Sequence, residues 1–350
     1  MTNYNEDEWR YLPDPSFIEE VEDNLRWIAY QLGIAEPHIY SNEELRDLIR
    51  KKQKESSRKY IGEKNPNQKS MKIPKFSRVV GVYEAKKAIV DSIVRPVQRP
   101  ELYPLGWERC ILLFGPPGTG KTHLVAETAR EIDAHFVEQD AATIQSKWIG
   151  EASQNVARLF NQARQTLKQY KSQKPIIIFI DEVDALFSKQ GECDYDVEMR
   201  NQFKKELDGV KDKNSNLYLY LIASTNNPWD LEKSFLRRFQ KRIYIDIPNE
   251  NERYELLKLY TKKLKLNPSF DYVPVVEACE GYSGSDIRDI CRDAHQITLD
   301  RLYKSKNSVE GFPEPISEGD FEQVIKRRNK TVTDKQLAEF KDWALRNQAS

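Results

Sequence analysis

Residues 114–122, Phe114-Gly115-Pro116-Pro117-Gly118-Thr119-Gly120-Lys121-Thr122, meet the pattern GxxxxGK[ST] without a departure. Glycines let such a loop curl until successive backbone N–H groups face one cavity, and the helix that follows adds the positive end of its dipole. The chemistry this fits is the binding of a phosphate chain. Lys121 would reach the outer phosphates as a point charge, and the Thr122 hydroxyl would ligate Mg²⁺. A second set of groups ends the run Pro175-Ile176-Ile177-Ile178-Phe179-Ile180-Asp181-Glu182. Asp181 would complete the Mg²⁺ shell, and Glu182 would polarise a water aimed at the terminal phosphate. The two acids could instead be charges at a helix N-terminus, a reading that does not explain why an apolar run should end in them. Asn226, after Leu217–Ser224, could sense a phosphate or hold the water, although an Asn after a strand is commonly a turn residue. Arg237 and Arg238 form a pair that projects into a neighbouring copy or is simply solvated.

These groups need elements to hold them. Cys110–Phe114 is a short apolar run before the glycine loop, and Thr122–Arg130 reads as a helix after it, which gives strand, loop and helix in the required order. Unbroken β-rich runs over 176–180, 217–224 and 242–247 have the profile of strands buried on both faces of a parallel sheet. A helix is expected through Ala85, Ala88, Ile89 and Ile93, then a loop punctuated by Pro96, Pro100 and Pro104. From residue 249 the pattern is helical to the end, with starts near Ser283 and Ser317 and a capping box at Thr333-Asp334-Lys335-Gln336. Ahead of the sheet, Phe17 to Leu32 and the box Ser41-Asn42-Glu43-Glu44 predict a helical hairpin over residues 1–50. Residues 51–75 are Lys-, Ser- and Asn-rich, the composition of a flexible basic linker.

Composition narrows the class. Over 350 residues the formal net charge is +0, with 39% hydrophobic and 31% charged residues. That argues against a globally basic nucleic-acid binder. The four cysteines are scattered without CxxC spacing, which fits reduced thiols. No run reaches the ~20 apolar residues that a membrane span needs. A cytoplasmic protein is expected.

The strings FGPPGTGKT, IIIFIDEVDAL, ASTNNPWDL, LRRFQKRIYI and GYSGSDI occur in this order, and from Phe76 to the end the chain resembles the AAA ATPases. Within them it is similar to the branch holding katanin, spastin, fidgetin and the vacuolar-protein-sorting ATPase that disassembles ESCRT-III filaments. The resemblance implies an α/β P-loop domain over 76–248, its parallel sheet flanked by helices, followed by a small helical lid over 249–350. It implies ATP with Mg²⁺ as cofactors, held by Gly115, Pro116, Pro117, Gly118, Thr119, Gly120, Lys121, Thr122, His123 and Asp181, with adenine contacts near Gly81, Gly284 and Ser285. Asn226 becomes sensor 1, and Arg237 and Arg238 become arginine fingers supplied in trans within a homohexamer. Lys147, Trp148 and Ile149 fall on the first pore loop, which grips a polypeptide such as an ESCRT-III-like filament protein. Residues 189–196 hold the position of the second.

The chain also departs from the pattern. Arg78 stands where the family has Asp, Glu198-Met199-Arg200 replaces a paired-Arg string, and residues 301–317 are too few for the small β domain of the vacuolar-sorting members. The hairpin offers two helices where the family's adaptor domain has three. Other functional readings are a nucleic-acid motor of the same fold and a non-catalytic scaffold that uses nucleotide for assembly.

Overall fold

The computed structural model describes residues 29, 34, 41–56, 74–76, 78–103, 105–141, 144, 152–170, 174–187, 194–211, 218–304 and 311–347. The expected helix Phe17–Leu32 and Lys147, Trp148 and Ile149 lie outside the described residues, as do residues 188–193 of the expected second pore loop.

Five parallel strands form one sheet: β1 Cys110–Phe114, β2 His135–Asp140, β3 Ile176–Asp181, β4 Leu219–Thr225 and β5 Lys241–Tyr244, in the order β2-β3-β4-β1-β5. Every residue of β1 and β4 is buried, and β3 is buried until Asp181. That is what β-branched and aromatic runs do when both sheet faces are covered. Four strands were legible in the sequence; β2 was not. Its residues His-Phe-Val-Glu-Gln-Asp are only half-buried or exposed, and it pairs with β3 alone at the sheet edge. Register brings the carboxyl ends together, with Phe114 opposite Thr225 and Asp140 opposite Asp181.

Helices follow the strands. In chain order these are α1 Asn42–Ser56, α2 Tyr83–Ile89, α3 Arg95–Gln98, α4 Lys121–Glu131, α5 Ala152–Tyr170, α6 Asp184–Phe187, α7 Asp194–Lys211 and α8 Lys233–Leu236. The capping box of α1 forms, with the Ser41 N–H donating to Glu44 Oε2 at 2.8 Å, and the helix runs through Ser56 into the stretch expected to be linker. The expected loop around Pro96 is also corrected. A π-helical turn over Val90–Val94 joins α2 to α3, and Pro96 sits inside helical structure. A widened turn just before a proline absorbs the backbone bond that its missing N–H cannot make.

The second group of helices is α9 Glu250–Thr261, α10 Tyr272–Ala278, α11 Gly284–Lys304, α12 Glu318–Ile325 and α13 Asp334–Asn347. Asn249 and Ser317 open α9 and α12 with capping boxes. Leu257, Val276, Cys279, Ile287, Ile290 and Phe321 bury together beneath them.

The chain divides into two compact units. One holds Met1–Phe114, Lys121–Tyr244 and Trp343–Ser350; the other holds Gly115–Gly120 and Ile245–Asp342. This differs from a single boundary at residue 248, because the chain changes unit at four places. In the first unit Trp343, from the end of α13, meets the Phe114 ring edge-on with centroids 4.6 Å apart.

Candidate nucleotide-binding site

In the first unit the apolar β3 delivers Asp181 to the sheet's carboxyl edge. Asp181 Oδ2 accepts from the Thr122 hydroxyl at 2.6 Å. Its Oδ1 accepts from the Ser224 hydroxyl and, at 3.0 Å, from the Glu182 N–H. A hydroxyl and a carboxylate placed in this way are hard oxygen donors suited to Mg²⁺, which takes one or two protein ligands and fills its remaining positions from phosphate and water. The residues present therefore fit the cation.

Glu182 follows at once, exposed, with a φ of 51°. A non-glycine residue in the left-handed region is strained, and such strain persists only where the surroundings enforce it. Here Val183 N–H donates to Ser224 O at 2.9 Å and pins the turn. Loss of solvent and the negative charges of Asp181, Asp184 and Asp140 raise the Glu182 carboxyl above its ordinary range, against the opposing pull of Lys121. A raised carboxylate is a better hydrogen-bond acceptor for a water than an ordinary one.

Lys121 opens α4 and is 6% exposed. Its Nζ donates to Asn226 Oδ1 at 2.7 Å. Burial lowers its ammonium to about 8, although Asp181, Asp184 and Glu182 pull the other way. Asn226 is thus bonded to the loop lysine, beyond the part of a simple turn residue. Its turn is braced by a group that sequence reasoning missed: Asp184 accepts from the Thr225 hydroxyl at 2.6 Å and from Asn227 Nδ2 at 2.9 Å. An acid three residues past Asp181, at the start of a helix, was the available signal.

His123 Nε2 donates to the carbonyl of Arg78 at 2.8 Å, which ties α4 to the segment before Gly81. Gly81 and Val82 are both left-handed, with φ of 64° and 49°. For a β-branched residue that conformation is an outlier. The segment is held by the fully buried Lys86, whose Nζ donates to Val79 O at 2.6 Å beneath the Phe76 and Tyr83 rings.

The second unit carries Gly115–Gly120. A Cβ on Gly115 would lie 2.1 Å from the Ile245 carbonyl oxygen, and one on Gly118, whose φ is 75°, would lie 2.1 Å from Ser285 Oγ. Only glycine fits either place. Thr119 Oγ1 closes the loop on Pro116 O at 3.0 Å, and Gly118 O accepts from the Ser285 N–H at 3.0 Å. Gly284 and Ser285 begin α11, where the buried Asp286 accepts from the Ser283 N–H and hydroxyl and from the Thr331 hydroxyl. Burial alone would raise the Asp286 carboxyl; those bonds and Arg328 outweigh it and hold it low.

The arginine pair divides. Arg238 is half-buried and bound within its own subunit, to Asp208 at 2.9 Å and to the carbonyl of Ser234 at 2.6 Å. Arg237, at the end of α8, is exposed.

Residues 111–247 match the ATPase family associated with various cellular activities (AAA), and residues 269–311 match the AAA+ lid domain. Cell division protein C of Sulfolobus acidocaldarius is 44% identical over 270 residues, which cover 77% of this chain and 70% of that one. A human katanin-like protein, the A-like 1 form of the katanin p60 ATPase-containing polypeptide, is 33% identical over 285 residues, covering 76% of this chain and 56% of the human protein. The chain thus spans little more than half the length of the katanin-like relative. The crystal structure of the FIGL-1 AAA domain superposes with a TM-score of 0.69 at 30% identity, covering 78% of this chain and 89% of that one. A structure concerned with the basis of katanin self-assembly gives 0.63 at 26% identity, covering 77% and 89%.

Proposed function

The chain belongs to the AAA ATPase family, and from that premise we propose that it is an ATP-driven protein-remodelling motor whose site is completed by a neighbouring copy. The observation that carries this reading is the pairing of Thr122 with Asp181 at 2.6 Å and of Lys121 with Asn226 at 2.7 Å, beside a strained Glu182. In this reading Lys121 leaves Asn226 to meet the outer phosphates. Glu182 accepts a hydrogen bond from the attacking water and aligns it, while Asn226 fixes that water's position. Mg²⁺, held by Thr122 and Asp181, would supply charge neutralisation at the β- and γ-phosphates. Arg237, exposed on α8, is available to a neighbour's site, where a guanidinium offsets the charge spreading over the transferred phosphoryl group.

Remodelling is supported by the likeness to Cell division protein C and to katanin-like proteins. In the proposal a homohexamer draws a polypeptide, such as an ESCRT-III-like filament protein, past Lys147, Trp148 and Ile149 and dismantles the assembly it came from. The cytoplasmic setting belongs to the same proposal; among the described residues no helix is long and apolar enough to cross a membrane. The test is a pull-down with the Glu182→Gln protein in ATP. A ring closed on a captured filament protein is expected, and recovery of the protein alone in ATP and ADP alike would count against the motor.

A further inference from the structure

The single turn α8 carries Arg237 at its end, and one turn is too short to hold itself as a helix. Its geometry must come from what it touches. Glu232, the residue before the turn, is gripped twice over. Its backbone carbonyl accepts from the N–H groups of Phe235 at 2.9 Å and Leu236 at 3.0 Å. Its carboxylate accepts from Lys204 Nζ at 2.8 Å, the Ser234 hydroxyl at 2.7 Å and Arg200 Nη1 at 3.3 Å. Arg200 and Lys204 lie one turn apart on α7, and Arg200 is buried, so the pair presents a fixed cationic face to one acid. The Lys204 hydrogen bond is the main cause that lowers the Glu232 carboxyl below its ordinary range.

The far end of the turn is also fastened. Arg238 Nε donates to Lys204 O at 3.3 Å and to Asp208 Oδ2 at 3.1 Å. The buried Phe235 ring stacks on Phe187 with centroids 3.6 Å apart. Lys204 therefore serves both ends, through its ammonium at Glu232 and through its carbonyl at Arg238. Of the residues from Glu232 to Arg238, Lys233 and Arg237 are the exposed ones.

We propose that Glu232, clamped by Arg200 and Lys204 of α7, is a positioning residue that sets the direction in which Arg237 leaves its own protomer. The inference rests on the reading that Arg237 completes a neighbour's site. Loss of the carboxylate frees the start of the turn and leaves two cations of α7 facing each other. Arg237 then no longer reaches a fixed point, while the protomer's own Lys121, Asp181 and Glu182 remain as they were.

The test separates a misdirected arginine from a damaged protomer. Glu232→Ala and Lys204→Met are each expected to lower ATP turnover at least about tenfold, a fraction of the 10³ or more that an arginine finger supplies, with ATP affinity unchanged. Each is then mixed 1:1 with Glu182→Gln protomers, which lack the acid but keep a well-placed Arg237. Random mixing gives half the intact acids a good neighbour, so turnover should recover to about a quarter of wild type. The Arg237→Ala protein mixed in the same way is the reference. If that mixture recovers and those of Glu232→Ala and Lys204→Met do not, the positioning role is overturned. Wild-type turnover by Glu232→Ala alone overturns it too. If the Arg237→Ala mixture itself fails to recover, completion across copies is what falls.

Discussion

Lys121 donates from Nζ to Oδ1 of Asn226 across 2.7 Å, joining the first residue of α4 to the residue that follows β4. An ammonium that is 6% exposed and bonded to a neutral amide has given up much of its hydration, which is why burial lowers it to about 8. A phosphate chain would restore its charge preference.

The first prediction concerns protons. With the free-site lysine near 8, nucleotide binding at pH 8.5 should take up more than about half a proton, and affinity should fall as pH rises above 8. Calorimetry in buffers of different ionisation heats reads this directly. Lys121→Arg, which stays charged throughout, should abolish the uptake; uptake that survives the change would place the titrating group elsewhere.

The same shift has a consequence for stability. The folded value near 8 lies below the ordinary 10.5, so the unfolded chain holds the proton more tightly. The lysine's unfavourable contribution is complete below pH 8, on the order of 3 kcal/mol, and fades as pH rises from 8 to 10.5. Lys121→Met should raise the melting temperature of the nucleotide-free protein at pH 7 and remove the stabilisation given by ATP. A lower melting temperature would contradict this account.

Asp184 should matter to turnover more than to binding. It accepts from Thr225 and Asn227 on either side of Asn226 and leaves Lys121 and the glycine loop untouched. Asp184→Ala should lower kcat by about tenfold with KM within about threefold, since each lost charged hydrogen bond weakens the turn by roughly 1.5–3 kcal/mol. Steady-state kinetics decide; an equal rise in KM would assign Asp184 to binding.

Gly118→Ala should remove nucleotide binding. Its Cβ would stand 2.1 Å from Ser285 Oγ at a φ of 75°. Combining it with Ser285→Gly relieves the clash with that hydroxyl but leaves about 1 kcal/mol of backbone strain and the crowding from Ser283. Partial recovery in the double variant is expected by thermal shift with ADP.

Trp343→Ala should lower the urea midpoint, because the ring packs edge-on against Phe114 and on the apolar cluster beneath the sheet. A loss of about 2–3 kcal/mol fits a partly buried aromatic. An unchanged midpoint would mean that the end of α13 adds nothing to that core.

What could be read in the sequence follows the physics of each element. β1, β3 and β4 are buried on both faces and show as unbroken apolar runs, and Lys121, Thr122 and Asp181 sit at fixed places in a loop and at a strand end. β2 escaped because an edge strand with a wet face alternates too weakly to stand out, and Pro96 hid a helix whose widened turn accommodates it. The brace formed by Asp184, Thr225 and Asn227 depends on two strands ending side by side, which no local pattern reports. The difference between Arg237 and Arg238 is likewise tertiary, since Asp208 and Ser234 decide which of two adjacent arginines is held.

The central claim is that hydrolysis needs a second copy, and the dependence of specific activity on protein concentration tests it most directly. Wild type should lose specific activity on dilution, and Arg237→Ala should stay at least about 10³-fold slower at every concentration. A specific activity that is constant on dilution and unaffected by Arg237→Ala would contradict the account.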